Sequence, residues 1–328
     1  MRTAALSGFD YAPARSIADA LDGLGRPGAM ALAGGTDLVR EMRRGTASPV
    51  ALVGIARLEP LRRIESAGGG ALRIGAAATL SEIAEHPVVR ARHAALARAC
   101  AEAASAQIRN LATIGGNLCQ KPSCWYYRTG EDSCVVRGDR TCAAEHGENE
   151  HHGIFRDGPC CAAHPSDPAP ALVALGAVAR IASASGERAL PVEDLFRAPD
   201  LDVPSGLALA PGELVLGLDL PPTPPRHRSL FLKARERRGF AFALASVAAA
   251  AVVSGSRTLS GARVAASGVG PAPVRLRAVE AAVEGRAMSP ESAARAGDLA
   301  VRDARPLARN GYKVALLKNL VAAALAEL

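Results

Sequence analysis

Six of the chain's seven cysteines fall within residues 119–161, CQKPSCWYYRTGEDSCVVRGDRTCAAEHGENEHHGIFRDGPCC, and only Cys100 lies elsewhere. Thiols at this density pair as disulfides, hold zinc, or hold an iron–sulfur cluster. Disulfide scaffolds are short secreted chains with little core. This chain has 328 residues, is 49% apolar, and opens on MRTAALSGFDYAPARSIADALDG, which lacks the apolar core of a signal peptide. Structural zinc favours close Cys pairs, whereas the gaps after Cys119 are four, nine, seven, seventeen and zero residues. Only Cys160 and Cys161 are close, and adjacent residues rarely ligate one metal together. The compact spacing of bacterial ferredoxins is also absent, yet four cysteines drawn from one long excursion satisfy a [4Fe–4S] centre. On chemistry alone, iron–sulfur and zinc remain equally good. The neighbouring His146, His151, His152 and His164 read as solvated loop residues rather than ligands.

Two glycine corners form a second constellation, AGGTD at residues 33–37 and TIGGN at residues 113–117. Paired glycines let backbone approach a ligand closely, a neighbouring Thr or Asn adds donors, and a corner that opens a helix presents N–H groups suited to phosphate. Neither corner fits the Rossmann or P-loop pattern. A single Gly-Gly is most simply a tight turn, but two corners about eighty residues apart can clasp one diphosphate from both sides.

These groups need a scaffold, and the sequence alternates strand and helix signals. GAMALAGGTDLVREMRRG reads as strand, turn, helix; residues 50–55 form a second apolar run; residues 72–74 read as a strand leading into a helix from Ser81; and residues 88–105 read as one Ala-rich helix. This pattern predicts layered α/β or α+β packing. The PPTPP cluster at residues 221–225 is the best linker and the expected domain boundary. Beyond it, SLFLKARER and ARVAASGVG read as strands, FALASVAAAAVVSG as an Ala/Val-rich stretch, and YKVALLKNLVAAALAEL as a closing amphipathic helix, which predicts a small α+β domain. No apolar run reaches the length of about 18 residues that spans a membrane. The formal charge is +7, but the arginines are dispersed and aromatic residues make up only 3%, so no base-stacking surface for nucleic acid is expected.

In order along the chain, AGGTD, IRNLATIGGNLCQ, HPSDPAPALVAL and FLKARERRGFAFALASVAAA resemble the FAD-binding medium subunits of the molybdenum hydroxylase (xanthine dehydrogenase) family. The resemblance covers nearly the whole chain. It implies an α+β fold: a flavin domain of the vanillyl-alcohol-oxidase (PCMH-like) type over residues 1–225, with subdomains of about 1–58 and 59–225, and a small C-terminal α+β domain over residues 226–328. Most members pass directly from TIGGN to an Asp-containing segment, whereas this chain inserts about forty residues. The pieces SCWYYR, DSC, DRTCAAEHG and CCAAHPSD are similar to members that carry a [4Fe–4S] cluster in this loop, the flavin subunits of periplasmic aldehyde oxidoreductase and 4-hydroxybenzoyl-CoA reductase, and more to the former. On that resemblance Cys124, Cys134, Cys142 and Cys161 are the implied ligands, Cys119 belongs to the flavin corner, Cys100 to a helix core, and Cys160 has no assigned role.

The resemblance further implies that Met30, Ala31, Leu32, Ala33, Gly34, Gly35, Thr36 and Asp37 line the FAD diphosphate and ribityl chain, with Thr113, Ile114, Gly115, Gly116 and Asn117 closing from the other side. Asp167 is implied near the adenosine or ribityl hydroxyls, Leu216 against the flavin, and Lys233 close to it as a cation that tunes its electronics. No catalytic acid, base or nucleophile is expected on this chain. The implied partners are a large molybdopterin subunit and a small [2Fe–2S] subunit, with electrons passing through FAD to an external acceptor. Alternatives are a reductive enzyme acting on a thioester-linked aromatic ring, and a zinc-stapled scaffold without flavin. The expected location is the cytoplasm, or the periplasm by export with a signal-bearing partner.

Overall fold

The computed structural model describes residues 8–130, 132–237 and 239–328. Three sheets organise it. The first is small and parallel: β1 (Asp10–Pro13), β2 (Ala29–Leu32) and β3 (Ala51–Gly54) run in the order β1-β3-β2. Helix Ile17–Leu24 is N-capped by Ser16, whose Oγ accepts the Asp19 N–H at 3.1 Å, and helix Leu38–Arg44 stops at Gly45 in the left-handed region. The second follows the strand–turn–helix reading of residues 28–45.

The second sheet is antiparallel, β4-β5-β8-β6-β7, from β4 (Ile64–Ser66), β5 (Leu72–Gly75), β6 (Val178–Ser183), β7 (Gly186–Pro191) and β8 (Leu214–Leu220). A helical layer packs against it. The single helix expected over residues 88–105 is two helices, Pro87–Arg92 and Ala94–Glu102. His93 breaks it with φ −130°, ψ 51°, a non-helical conformation, and its ring is buried. Neither Gly nor Pro marks that break in the sequence.

The third sheet is β12-β11-β10-β9, antiparallel, from β9 (His227–Ala234), β10 (Ala245–Val253), β11 (Leu259–Ser267) and β12 (Val274–Arg275). Its central strand explains the Ala/Val-rich stretch. Val247, Ala249, Ala251 and Val253 face a core shared with helices Pro290–Ala300 and Tyr312–Glu327, while Ala248 and Ala250 face the core beneath the second sheet. A strand buried on both faces shows no polar alternation. Among the described residues no helix is long and apolar enough to cross a membrane.

The cysteine-rich excursion folds into helix Trp125–Thr129 and two single turns, Val135–Arg137 and Ala143–Glu145. It is anchored on the C-terminal unit: Ile154 and Phe155 donate their N–H groups to the Val269 carbonyl at 2.7 and 2.9 Å, and His164 donates to Gly270 at 2.7 Å.

Candidate flavin and cysteine site

A cavity of about 290 Å³ lies where the two glycine corners meet. Its wall includes Met30, Ala31, Leu32, Ala33, Gly34, Gly35, Thr36 and Asp37 from one side and Thr113, Gly115, Gly116 and Asn117 from the other. The first corner needs both its glycines, for different reasons. A Cβ on Gly34 would stand 1.8 Å from the Leu111 carbonyl oxygen, so only glycine lets the corners touch; Gly35 has φ +69°. Thr113 caps helix Ile114–Leu118 by accepting the Gly116 N–H at 3.3 Å.

The HPSD segment docks directly on the second corner. Ser166 donates its hydroxyl to Asn117 Oδ1 at 2.6 Å and accepts the Ala169 N–H at 3.1 Å, which brings Asp167 into the cavity wall. Lys233 Nζ sits 2.6 Å from Asp167 Oδ2 and 3.1 Å from the Glu102 carbonyl, with its side chain fully buried. Burial outweighs this cation and lifts the Asp167 carboxyl to about 6. The other oxygen, Oδ1, is buried without a partner. A buried acceptor in a cavity wall fits a ligand hydroxyl, the group that a ribityl chain or adenosine ribose offers.

Three of the expected flavin residues are not in the cavity wall. Ile114 is fully buried in the core beneath the second sheet. Leu216 packs with Ala20, Val53 and Leu61 under the first sheet, and its strand neighbours Leu214 and Val215 line the cavity instead. Lys233 stands behind Asp167 rather than in the wall. Other lining residues were not singled out from the sequence: Arg40, Glu41, Lys121, Phe240 and Phe242. The phenylalanine pair had one signal, its rarity in an aromatic-poor chain. Burial and the neighbouring Asp37 raise the Glu41 carboxyl to about 7, with Lys121 opposing; burial also raises Asp37, against Arg128 and Arg40. Arg128, on the cysteine excursion, lies over the Phe242 ring at 5.6 Å, which ties the excursion to the cavity rim.

The cysteines converge beside this rim. Cys124, Cys134, Cys160 and the half-buried Cys142 share one apolar cluster with Tyr127 and Val135. Hydrogen bonding with Cys161 lowers the Cys142 thiol to about 6 and raises that of Cys161. Burial raises Cys124 to about 11 and Cys160 to about 12, and raises Cys134 too. Thus the four expected ligands, with Cys160, lie at one place, while Cys100 is fully buried in the core and Cys119 lines the cavity. His152 and His164 are buried, contrary to their reading as solvated loop residues; the His152 ring touches Cys124 and the His164 ring stands edge-on to Phe196. Among the described residues no group of three or more Cys, His, Asp or Glu stands ready to hold a metal ion.

Comparison with known proteins bears on both halves. Residues 7–223 match the model of the FAD binding domain in molybdopterin dehydrogenase, and residues 231–328 that of the CO dehydrogenase flavoprotein C-terminal domain. The chain is 36% identical over 304 residues to the aldehyde oxidoreductase FAD-binding subunit PaoB of Escherichia coli (strain K12), covering 92% of each. It is 26% identical to the carbon monoxide dehydrogenase medium chain of Hydrogenophaga pseudoflava, covering 97% of this chain and 96% of that one. A solved structure of carbon monoxide dehydrogenase from the same organism superposes with a TM-score of 0.78 at 25% identity, covering 98% of each chain.

Proposed function

This chain belongs to the family of FAD-binding medium subunits of molybdenum hydroxylases, and from that premise we propose that it couples the flavin to a [4Fe–4S] cluster held by Cys124, Cys134, Cys142 and Cys161, in an enzyme that oxidises aldehydes. The observation that carries the cluster is the convergence of those sulfurs beside the cavity rim. In a four-iron cube each thiolate binds a different iron, so the ligands stand around a cage rather than around one ion. Bound to the chain, FAD supplies acceptance and release of electron pairs, and the cluster supplies single-electron transfer.

This chain's residues position and insulate. The glycine corners bring backbone N–H groups to the diphosphate, and Lys121 and Arg40 add positive charge at the same wall. Asp167 offers Oδ1 to a ligand hydroxyl and is held in place by Lys233. Phe240 and Phe242, both exposed, supply an apolar rim. We assign residues 1–225 to the flavin domain and 226–328 to the C-terminal domain. The partners are a large molybdopterin subunit and a small [2Fe–2S] subunit; the names of the relatives, an FAD-binding subunit and a medium chain, support an assembly of several subunits, and the aldehyde substrate rests on the 36% identical relative.

Co-expression with its two partner subunits tests this. The complex is expected to bleach its flavin absorbance when an aldehyde is added anaerobically, and Cys134→Ala is expected to lose iron while it keeps FAD. A Cys134→Ala variant with full iron content removes the ligand assignment, and a colourless preparation holding zinc without iron removes the cluster altogether.

A further inference from the structure

The segment NEHHG, residues 149–153, is clasped from 157 to 162 residues away by the start of the last helix and the residues just before it. Asn310, fully buried, donates its amide to the His152 and Gly153 carbonyls at 3.2 and 2.9 Å. Its own Oδ1 accepts the Leu307 N–H at 2.6 Å, and Asn149 Oδ1 accepts the Arg309 N–H at 2.9 Å. Lys313, also fully buried, donates Nζ to the His151 carbonyl at 3.0 Å and the Gly268 carbonyl at 2.8 Å. Among the described residues no carboxylate lies within 4.0 Å of that ammonium. Two carbonyl dipoles do not neutralise a buried charge, and a buried cation without an anion is costly.

The clasp orients one ring. His152 is 2% exposed, its Nε2 lies 3.3 Å from Cys124 Sγ, and its Nδ1 is buried without a partner. The Trp125 ring stands edge-on to it at 5.7 Å. With iron on Cys124, the sulfur has no proton to give and can only accept. The imidazole therefore carries its hydrogen on Nε2, and the partnerless Nδ1 is the unprotonated nitrogen.

We propose that His152 donates its Nε2–H to the Cys124 thiolate and that Lys313 behind it is the buried counter-charge of the cluster, so that the pair raises the cluster's reduction potential. This rests on the [4Fe–4S] reading above. Hydrogen bonds to cluster sulfurs and nearby charge are recognised determinants of potential, because reduction adds negative charge that both groups stabilise. Neither residue is a ligand, and each acts through position.

The test is an anaerobic potentiometric titration of the assembled three-subunit enzyme, followed by electron paramagnetic resonance, with iron and FAD quantified in every sample. His152→Phe is expected to lower the equilibrium constant for cluster reduction about tenfold, equivalent to about 59 mV for a one-electron couple. His152→Gln, which keeps an N–H within reach of the sulfur, is expected to recover at least half of that shift. Lys313→Met is expected to shift the potential the same way and Lys313→Arg to leave it unchanged. Equal potentials in the parent, His152→Phe and Lys313→Met enzymes at full iron content overturn the inference and leave the cluster standing. If His152→Phe loads no iron, the Lys313→Met and Lys313→Arg pair decides by the same criterion. A parent enzyme without iron ends both the inference and the reading beneath it.

Discussion

The Asp167–Lys233 pair makes the sharpest quantitative demand on the flavin site. Lys233 is buried with one carboxylate and one carbonyl as its partners, and Asp167 lines the cavity with its second oxygen buried and unpartnered. Asp167→Asn keeps the shape and removes the charge, which leaves the ammonium buried beside neutral oxygens. Breaking a buried pair from one side costs about 3–5 kcal/mol. At about 2.1 cal/mol/K of unfolding entropy per residue, a chain of 328 residues shifts by about 1.5 °C per kcal/mol, so this lowers the melting temperature by about 4–7 °C. The measurement belongs at pH 8, because burial lifts the Asp167 carboxyl to about 6 and the pair is fully ionised only well above that. Adding Lys233→Met removes the stranded charge, so the double variant is expected to regain at least about 2 kcal/mol over Asp167→Asn, since apolar replacement of a buried pair is often close to neutral. Urea denaturation of the four proteins at matched FAD occupancy provides the cycle. An Asp167→Asn loss below about 1 kcal/mol, or a double variant no more stable than the single one, would refute the assignment of this pair as a buried, mutually dependent charge couple.

Other residues give further tests. Gly34→Ala places a methyl 1.8 Å from the Leu111 oxygen and is expected to cost more than the roughly 3 kcal/mol of ordinary overpacking, with loss of FAD from the purified protein; Gly35→Ala, strained by its φ of +69° and meeting only the movable Val39 side chain at 3.2 Å, is expected to cost about 1–2 kcal/mol and to retain flavin. Glu41 has its folded-state carboxyl raised from 4.5 to about 7, so the folded chain holds more protons than the unfolded one between those values, and this residue's contribution to stability falls as pH rises through that window. Glu41→Gln is expected to flatten that slope in flavin-free protein and to add on the order of 3 kcal/mol at pH 8, read by denaturant titrations from pH 5 to 8; an unchanged slope contradicts it. Cys160→Ala is expected to retain iron and Cys161→Ala to lose it, as iron per FAD will show; the reverse exchanges the two roles.

What was legible in the sequence follows from what physics writes locally. The glycine corners were readable because Gly34 and Gly35 are needed by the backbone itself, one for contact and one for φ. Which side chains of β8 face the cavity was not legible. Nearly every residue of the strand is buried, so no polar alternation marks them, and Leu214 and Val215 line the cavity. The density of cysteines drew attention to the excursion, but the hydrogen bonding of Cys161, rather than Cys160, with Cys142 is set by the fold and not by the spacing of two adjacent residues. The clasp by Asn310 and Lys313 was invisible, because nothing near residue 313 points to partners about 160 residues earlier. Glu41 and Lys121 likewise became site residues only when helix Leu38–Arg44 and the start of the excursion met at the cavity.

The central claim is that this flavin subunit carries an iron–sulfur cluster on its cysteine-rich excursion. Iron, acid-labile sulfide and FAD measured together on the anaerobically purified chain, with Mössbauer spectra of the iron-57-enriched protein, test it most directly. The account predicts about four irons and four sulfides per FAD, with the spectrum of a single [4Fe–4S] centre. A flavin-replete chain with no iron, or with one zinc ion in its place, contradicts it.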